Sequence, residues 1–388
     1  MNDFAWRRVV SYYARPATFS TGGVNTSRQQ WMAAFAALGI PVVVVSARNG
    51  FDTKLVSIDG LSFESIPHIG RGRMTMIPLT LFKTLRKNDL VYLHEGWTAS
   101  NLVASWVCRL RAIDYVVIPH GVYSPGITVL LRGLRVRRAV EAIVLRHALA
   151  VHLFFDSEKP ELEMLEPAAT AVVSVTGLDV PDQRWDPSGS EKYIAWIGRY
   201  DIHHKGIDNL FAAVKSIAPE SRPLLKMHGP DHLGDKERVA RLIDELGLSR
   251  WVKLGGELSP KDASEFLRRS QGFVHVPRWE AFGRTIVEAL ALGCPVVLGS
   301  GAHIAGTLEK AGAARIVIGT DPNSIADGLL ALAGGGVHTG VAGRTWVEEE
   351  LSWTARATDA ASQLTAVRLS RAPIRQRTPW ATQVPKRK

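Results

Sequence analysis

The chain has 388 residues, of which 46% are hydrophobic and 22% charged, with a formal net charge of +10 and a pI near 9.7. This length favours two domains of roughly 100–200 residues each, and the composition is that of a globular protein rather than a disordered one. The positive charge favours an anionic partner, which leaves nucleic acid, an anionic membrane surface and phosphorylated ligands to be distinguished.

Short β-branched runs alternate with amphipathic stretches along the chain, the pattern of βα units around parallel sheets. The strands predicted in the first half are Arg8–Ser11, Pro41–Ser46, Asp89–His94, Tyr115–Pro119, Ala150–Phe155 and Ala171–Thr176. Those predicted in the second half are Tyr193–Ile197, Leu224–His228, Val252–Gly255, Gly272–Val276, Pro295–Gly299 and Ala314–Ile318. The apolar spacing predicts helices at Asn25–Leu38, Ala99–Arg111, Ile207–Ser216, Lys236–Leu246, Pro260–Arg269, Thr285–Leu292 and Pro322–Ala333.

The segment Asp179–Glu191 is rich in proline, serine and glycine and predicts a linker between two domains. We therefore place an N-terminal domain at 1–180 and a C-terminal domain at 190–350. The pattern at Val347–Val367 predicts a single terminal helix, assigned to 351–370, and 371–388 is expected to be a basic, flexible tail.

Targeting and redox signals are absent from the sequence. The first residues include Asp3, Arg7 and Arg8 and no signal-peptide-like apolar run, and no apolar run reaches the ~20 residues of a membrane span. Cys108 and Cys294 lie far apart, so neither a disulfide framework nor a thiolate metal site is indicated. We expect a protein of the reducing cytoplasm.

The most informative motif spans Pro277–Leu290, where a strand ends, a tight loop holds Glu280 to Gly283, and a helix follows. Glycine allows the backbone to approach a ligand closely, and the free N–H groups of a helix start attract phosphate. The carboxylates of Glu280 and Glu288 can accept hydrogen bonds from sugar and ribose hydroxyls. The motif therefore predicts a site for a phosphorylated sugar compound.

A second motif follows the strand that ends at Ile197 and contains Gly198, Arg199, Lys205 and Gly206. In open α/β sheets, ligands bind outside the carboxyl ends of the strands. Arg199 offers a planar fork and Lys205 a point charge, so the pair is suited to a diphosphate.

The two motifs, in this order and spacing, resemble family 4 of the retaining glycosyltransferases. The resemblance covers most of the chain and is densest over Tyr193–Val297. It implies the α/β fold called GT-B, in which two Rossmann-like domains face each other across a cleft, with a C-terminal helix crossing back to the N-terminal domain. By this resemblance the N-terminal domain binds the acceptor and the C-terminal domain binds the nucleotide sugar.

The resemblance also implies roles for individual residues. Arg199 and Lys205 would bind the donor diphosphate, Glu280 the donor sugar, Glu288 the ribose, and the backbone of Phe282 to Thr285 a phosphate. The donor-binding candidates are Gly22, Gly23, Gly198, Arg199, Lys205, Glu280, Ala281, Phe282, Gly283, Arg284, Thr285 and Glu288. Ala281 stands where the family usually has glycine, so the resemblance indicates the class of donor but not its identity.

The first half supplies weaker motifs at two strand ends. The glycines Gly22 and Gly23 precede a predicted helix and are expected to form a flexible turn, as in the family's glycine loop. His120, in a Pro-His-Gly context, resembles the family's cleft histidine, which contacts the donor sugar. The catalytic candidates are thus His120, Arg199, Lys205 and Glu280, and the acceptor-binding candidates are Asn25, His94, Glu95, Trp97 and Tyr123.

Two groups of basic residues stand out in the first half. One comprises Arg132, Arg135, Arg137, Arg138 and Arg146, and the other Arg71, Arg73, Lys83, Arg86 and Lys87. Basic amphipathic stretches can lie on anionic membranes, and a solvated surface is the alternative. Family members often act on lipid-linked or lipopolysaccharide acceptors, which favours peripheral attachment to the inner face of the plasma membrane. No nucleic-acid-binding module is recognisable, so nucleic acid is not the expected partner.

By this resemblance we predict a retaining transferase that moves a hexosyl group from a GDP- or UDP-linked sugar to a glycan or lipid-linked acceptor, in cell-surface polysaccharide or glycolipid biosynthesis. No metal cofactor is expected, because no Asp-x-Asp site is apparent. The alternatives are a nucleotide-sugar epimerase of the same fold and an inactive transferase-like binding partner. A dehydrogenase is disfavoured, since the first strand is not followed by Gly-x-Gly-x-x-Gly.

Overall fold

The computed structural model describes residues 4–14, 22–47, 60–70, 75–128, 134–186 and 192–371. Its strands are β1 (Arg8–Tyr13), β2 (Val42–Ala47), β3 (Leu61–Ile66), β4 (His68–Ile69), β5 (Ile77–Pro78), β6 (Asp89–His94), β7 (Asp114–Ile118), β8 (Ala150–Leu153), β9 (Ala171–Val173), β10 (Ile194–Ile197), β11 (Leu225–His228), β12 (Val252–Leu254), β13 (Gly272–His275), β14 (Val296–Gly299) and β15 (Arg315–Val317).

Its helices are α1 (Gly22–Ala37), α2 (Leu81–Thr84), α3 (Ala99–Leu110), α4 (Pro125–Thr128), α5 (Leu134–His147), α6 (Lys159–Leu165), α7 (Ile202–Lys205), α8 (Ile207–Ser216), α9 (Asp235–Glu245), α10 (Pro260–Arg268), α11 (Arg284–Leu292), α12 (Ala305–Lys310), α13 (Pro322–Ala333), α14 (Gly340–Glu350) and α15 (Trp353–Arg371). A short 3-10 turn, Asp156–Glu158, precedes α6.

The first sheet is parallel and has seven strands in the order β3-β2-β1-β6-β7-β8-β9. Its central strand β6 is buried at every position, because helices cover both faces of the sheet. The strand order reverses between β1 and β6, so the loops that follow these two strands diverge and open a crevice.

The second sheet is also parallel, with six strands in the order β12-β11-β10-β13-β14-β15. This is the strand order of a Rossmann-type domain, and its reversal lies between β10 and β13. The two motifs found in the sequence follow these two strands. The predicted α/β fold with two Rossmann-like units is therefore confirmed.

Every predicted strand is present, as is every predicted helix before the terminal one, and the main differences among these are additions. The edge strand β3 and the antiparallel pair β4–β5 were not predicted. For β3 the reason is that only one of its six positions is buried. Gly22 and Gly23 are the first residues of α1 rather than a turn before it. Glycine tolerates this position, because the first turn of a helix makes no backbone hydrogen bonds through its N–H groups.

The prediction of one terminal helix over Val347–Val367 is wrong, because two helices, α14 and α15, occupy this region. They are separated by Leu351 and Ser352, and the Leu351 carbonyl accepts a hydrogen bond from the Leu178 N–H at 2.7 Å. Leu351 is buried in the core of the second sheet, whereas α15 begins at Trp353. The chain breaks its helix where it passes from one core to the other.

The predicted return of the terminal helix to the N-terminal half is confirmed. Trp353 packs edge-on against Trp31 of α1 with ring centroids 5.5 Å apart, and alanines and a leucine of α15 are buried in the same core. The Gln363 amide bonds the backbone of Val173 in the edge strand β9, at 2.8 Å to its carbonyl and 3.3 Å from its N–H. The tail at 372–388 lies outside the described residues.

Candidate active site in the crevice between the sheets

Lys205 and Glu280 form an ion pair at the carboxyl ends of β10 and β13. Lys205 ends α7, whose first turn is capped by the Asp201 carboxylate accepting from the His204 N–H at 3.0 Å. The next residue, Gly206, has φ +64°, and a Cβ there would lie 2.2 Å from the Val276 carbonyl oxygen. Only glycine permits this approach, which brings the end of α7 against the loop after β13.

Glu280 is held in its ionised form. Its burial would raise the pKa of the carboxyl, but the adjacent Lys205 ammonium and His275 outweigh burial and hold the pKa well below its ordinary value. His275 Nε2 lies 3.4 Å from Glu280 Oε2, and burial lowers the pKa of that histidine. Glu280 is therefore a hydrogen-bond acceptor and not a proton donor at neutral pH.

Arg199 lies exposed in the loop after β10, on the same segment as Lys205. Its guanidinium is within 3.2 Å of His232 Nδ1 and 3.3 Å of His204 Nδ1. The His204 ring stacks on Trp279 with centroids 4.7 Å apart and planes 12° from parallel. These contacts hold a second cation at the open side of the crevice while leaving the charge of Arg199 accessible.

Gly283 precedes α11 in the left-handed conformation, with φ +70°, and thereby turns the loop of Glu280 into the helix. Glu288 lies one helical turn inside α11 and binds Arg284, which precedes it by four residues, at 2.7 Å. Arg284 also reaches Gln30 of α1 at 3.2 Å. The structure thus places Glu288 near the start of α11 but engages it with Arg284 rather than with the Lys205–Glu280 pair.

His120 follows β7 on the opposite side of the crevice and has φ +53°, an uncommon conformation for a non-glycine residue. Its Nε2 lies 3.0 Å from Nδ1 of His94, and the two ring planes are 20° from parallel with centroids 5.4 Å apart, so the rings meet edge to edge. Burial, together with the nearby His152 and Arg28, lowers the pKa of His120 to about 3. His120 is a neutral imidazole at physiological pH.

The two halves of the crevice meet beside these residues. Gly121, next to His120, touches Ala281, next to Glu280, so closely that a Cβ on Gly121 would lie 2.3 Å from the Ala281 Cβ. Phe282 packs against Phe154 and Phe155 with ring centroids 6.0 and 6.2 Å apart. His120 and Glu280 therefore belong to one crevice.

The acceptor-binding candidates occupy a different environment. Asn25, Glu95, Trp97 and Tyr123 are no more than 6% exposed, and His94 is fully buried behind His120. The indole of Trp97 donates to the Val122 carbonyl at 2.9 Å, and the Tyr123 hydroxyl donates to Glu141 at 2.6 Å. These side chains therefore support the wall of the crevice from within the N-terminal core.

The sequence did not single out His275 and Trp279 as members of this site. His275 is the last residue of β13, where its burial resembles that of any strand residue. Trp279 lies inside the motif at Pro277–Leu290, and the only available signal was its place between a strand and a helix. Within the described ranges, no group of three or more histidine, cysteine or acidic residues is placed to hold a metal ion.

Both cysteines, Cys108 and Cys294, are buried free thiols. No helix between residues 22 and 371, as far as the structure describes them, is both long and apolar enough to cross a membrane.

Two family models match the chain, one in each half. The model described as Glycosyl transferases group 1 matches residues 181–333, and the model described as Glycosyl transferase 4-like domain matches residues 22–175. Mannosylfructose-phosphate synthase of Agrobacterium fabrum is 29% identical over 115 residues. That match spans 28% of this chain and only 25% of the relative.

Solved structures resemble the whole fold. Sucrose-phosphate synthase from Thermosynechococcus elongatus superposes with a TM-score of 0.72 at 20% identity, covering 94% of this chain and 100% of that one. Anabaena HepE, solved in complex with UDP-glucose, gives a TM-score of 0.72 at 17% identity, covering 92% of this chain and 99% of the other.

Proposed function

Because the chain is a glycosyltransferase of the family 4, GT-B type, we propose that it transfers a hexosyl group from a GDP- or UDP-linked sugar to a glycan or lipid-linked acceptor with retention of configuration. The observation that carries this proposal is the Lys205–Glu280 pair, which joins a buried cation and an ionised carboxylate opposite the neutral His120. A diphosphate needs the cation, and sugar hydroxyls need the carboxylate.

Arg199 and Lys205 are proposed to bind the donor diphosphate. As the bond between the sugar and the phosphate breaks, negative charge grows on the leaving oxygen. The two cations and the free N–H groups at the start of α11 oppose that charge with little reorganisation, because the loops that carry them are already fixed by capping and stacking. Glu280 orients the sugar by accepting hydrogen bonds from its hydroxyls.

Retention follows in this proposal from a front-face reaction. Glu280 is occupied by Lys205, and His120 is neutral with a low pKa, so neither is suited to be the nucleophile and acid of a double displacement. The C1–phosphate bond breaks while the C1–acceptor bond forms on the same face. The acceptor proton passes to an oxygen of the leaving phosphate. No metal ion is needed in this scheme, because the side-chain cations supply the positive charge.

The hexosyl identity of the donor is supported by the similar proteins. HepE was solved with UDP-glucose, and the name mannosylfructose-phosphate synthase implies a mannosyl product. A uridine- or guanosine-linked hexose is therefore the proposed donor class.

A membrane-facing surface is proposed on the N-terminal half, where α2 and α3 lie side by side. Phe82, Trp106 and Leu110 are 51%, 54% and 80% exposed. Lys83 lies over the Phe82 ring and Arg109 over the Trp106 ring, so cations flank the apolar side chains. We call Phe82, Lys83, Trp106, Arg109 and Leu110 the α2–α3 patch.

Mixed aromatic and cationic surfaces suit the interface of an anionic bilayer. The α2–α3 patch supports a cytoplasmic enzyme held peripherally at the inner face of the plasma membrane, within reach of a lipid-linked acceptor of polysaccharide or glycolipid biosynthesis. Of the predicted basic groups, Arg71, Arg73 and Arg132 lie outside the described residues. Arg135 and Arg138 are exposed on α5, which packs against α3.

A panel of GDP- and UDP-linked hexoses tests the proposal. The matching donor should raise the melting temperature of the protein by mass action and should release its nucleotide diphosphate when an acceptor is added. Proton NMR of the product should show the donor's anomeric configuration, and a chelator should leave the rate unchanged. Conversion of the donor without an acceptor would indicate an epimerase, and stabilisation without turnover on any acceptor would indicate an inactive binding partner.

A further inference from the structure

Four polar side chains form a continuous hydrogen-bonded chain from α1 to the crevice. The Arg28 Nε–H donates to Ser11 Oγ at 2.8 Å, and Ser11 Oγ lies 3.0 Å from Nε2 of His94. Nδ1 of His94 then lies 3.0 Å from Nε2 of His120. Arg28, Ser11 and His94 are at most 1% exposed, so water does not replace any of these links.

The protons of this chain can be counted from its buried end. Arginine donates in every protonation state found in proteins, so Ser11 Oγ accepts from Arg28. The Ser11 hydroxyl proton then has one remaining acceptor among the described residues, Nε2 of His94. The reverse direction would leave that proton buried without an acceptor, at a cost of about 1–3 kcal/mol.

The direction set at Ser11 propagates to the crevice. His94 accepts at Nε2, so a neutral His94 carries its proton on Nδ1 and donates it to Nε2 of His120. A neutral His120 that accepts at Nε2 must carry its own proton on Nδ1. No hydrogen-bond partner of His120 Nδ1 occurs in the described part of the chain, and this nitrogen belongs to the side chain that borders the crevice.

We propose that Arg28, Ser11 and His94 are positioning residues that fix His120 as the neutral tautomer protonated on Nδ1, so that the crevice is offered an N–H donor. That the partner is a hydroxyl oxygen of the donor sugar rests on the proposed function. His120 then selects a sugar whose hydroxyl accepts at this place, and it exchanges no proton during transfer.

The groups around His94 and His120 favour the neutral form of both imidazoles. Burial, His120, Arg28 and His152 keep the pKa of His94 well below its ordinary value. Among the described residues, the Arg28 guanidinium donates to serine hydroxyls and backbone carbonyls and lies over the face of Tyr13, 5.7 Å from its ring centroid. Its positive charge opposes protonation of both histidines.

Nitrogen-15 NMR of the ligand-free protein, with labelled histidine and assignment by His120→Asn, tests the tautomer without any donor or acceptor. We expect His120 Nδ1 to give the pyrrole-like signal and Nε2 the pyridine-like signal. Ser11→Ala should convert His120 to a mixture of tautomers, and Ser11→Thr should restore the wild-type spectrum. A pyrrole-like Nε2 in the wild type, or an unchanged tautomer in Ser11→Ala, would overturn the proposal.

Ser46→Ala is the matched control, because Ser46 Oγ accepts from Arg28 at 3.1 Å but does not contact His94. Ser46→Ala removes a buried serine hydroxyl that accepts from Arg28, and it should leave the His120 signals unchanged. If Ser46→Ala also converted His120 to a mixture of tautomers, this would contradict the direction of hydrogen bonding assigned through Ser11. Once a donor is known, Ser11→Ala should lower kcat/KM about five- to tenfold, the loss of about one hydrogen bond. If His120 carries its proton on Nδ1 as expected but the protein transfers no sugar, the proposed function is rejected while the inference about the tautomer stands.

Discussion

Gly121 and Ala281 meet across the crevice, where a Cβ on Gly121 would stand 2.3 Å from the Cβ of Ala281. Each is the neighbour of a proposed site residue, His120 on one side and Glu280 on the other. The contact therefore sets the separation of the neutral histidine from the ionised carboxylate. A methyl group added to either residue acts on the geometry of the site directly.

Gly121→Ala should reduce both stability and donor binding. The new methyl group would overlap Ala281, which costs about 1–3 kcal/mol for overpacking, and the left-handed φ of +76° adds about 1 kcal/mol. Thermal unfolding and donor titration measure the two effects.

Gly39→Ala separates strain from overlap, since Gly39 has φ +78° and no atom within 4 Å of the place that a new methyl group would take. Gly39→Ala should lose only the stability that a left-handed φ costs an alanine. When Ala281→Gly is combined with Gly121→Ala, the overlap is relieved, so the double variant should recover the stability and the donor binding that the overlap removed. If the double variant binds donor no better than Gly121→Ala, the contact does not set the geometry.

Lys205→Met and Glu280→Gln should each destabilise the protein by about 3 kcal/mol, because removal of one partner leaves the other charge partly buried and uncompensated. The double variant should lose less than the sum, by about 1–2 kcal/mol, which denaturant unfolding measures. Additive losses would show that the two side chains do not interact.

The same pair predicts a pH effect. The depressed pKa of Glu280 supplies stability that is present above pH about 4.5 and is lost as the pH falls toward the folded value. In Lys205→Met, burial is no longer opposed by the ammonium, so the pKa of Glu280 rises and this acid-side loss shrinks. Unfolding curves between pH 3 and 6 distinguish the variants.

The fold was predictable where strands are buried on both faces. β2 and β6 are apolar runs that only a covered parallel sheet accommodates. β3 was missed because an edge strand exposes half of its surface and carries little pattern. The break between α14 and α15 was missed because both flanking segments are helical, and the chain leaves the core that holds Leu351 for the core that Trp353 packs against only at this point.

The site was predictable in the C-terminal half, where glycines and charges follow two adjacent strands in a fixed order. It was not predictable at Glu95 and Trp97, whose positive φ values of +65° and +64° accompany side chains turned into the core. Backbone reversals of this kind in non-glycine residues leave no mark on the sequence. The partner of Glu288 was not predicted either. Its carboxylate pairs with the Arg284 side chain, whereas the resemblance gave Arg284 a role only through its backbone, at a phosphate.

Arg199→Ala should lower the rate of transfer about ten- to a hundredfold, since a charge-assisted hydrogen bond contributes about 1.5–3 kcal/mol. Arg199 is exposed, so its loss should not change the melting temperature of the free protein. Arg241→Ala, which removes an exposed arginine from α9, is the control for net charge. Unchanged turnover in Arg199→Ala would reject its role at the diphosphate.

Leu110→Glu should weaken binding to vesicles that contain anionic phospholipid, since it places a carboxylate at the most exposed apolar position of the α2–α3 patch. Sedimentation with vesicles measures the bound fraction, and neutral phosphatidylcholine vesicles should bind little. Val341→Glu introduces the same charge at an 83% exposed position of α14 and should bind as the wild type does. Equal loss in both variants would assign the effect to net charge and not to the patch.

His303 should make the contact between the two halves dependent on pH. Its ring links the loop after β14 to the 3-10 turn and α6, with Nδ1 at 3.1 Å from Ser157 Oγ and Nε2 at 3.4 Å from Glu161. Burial lowers the pKa of His303, but the hydrogen bond and the charge of Glu161 outweigh burial and raise the pKa above its ordinary 6.5.

A raised folded pKa means that the protonated ring stabilises the folded state fully below pH about 6.5 and that this stabilisation is lost as the pH rises through the folded value. His303→Gln keeps a hydrogen-bonding side chain without the charge, so the difference in unfolding free energy between wild type and variant should be largest near pH 6 and should shrink by pH 9. His338→Gln, at an exposed histidine of the C-terminal half, should track the wild type at every pH. A difference between wild type and His303→Gln that stays constant from pH 6 to pH 9 would show that the Glu161 contact does not involve a charged histidine.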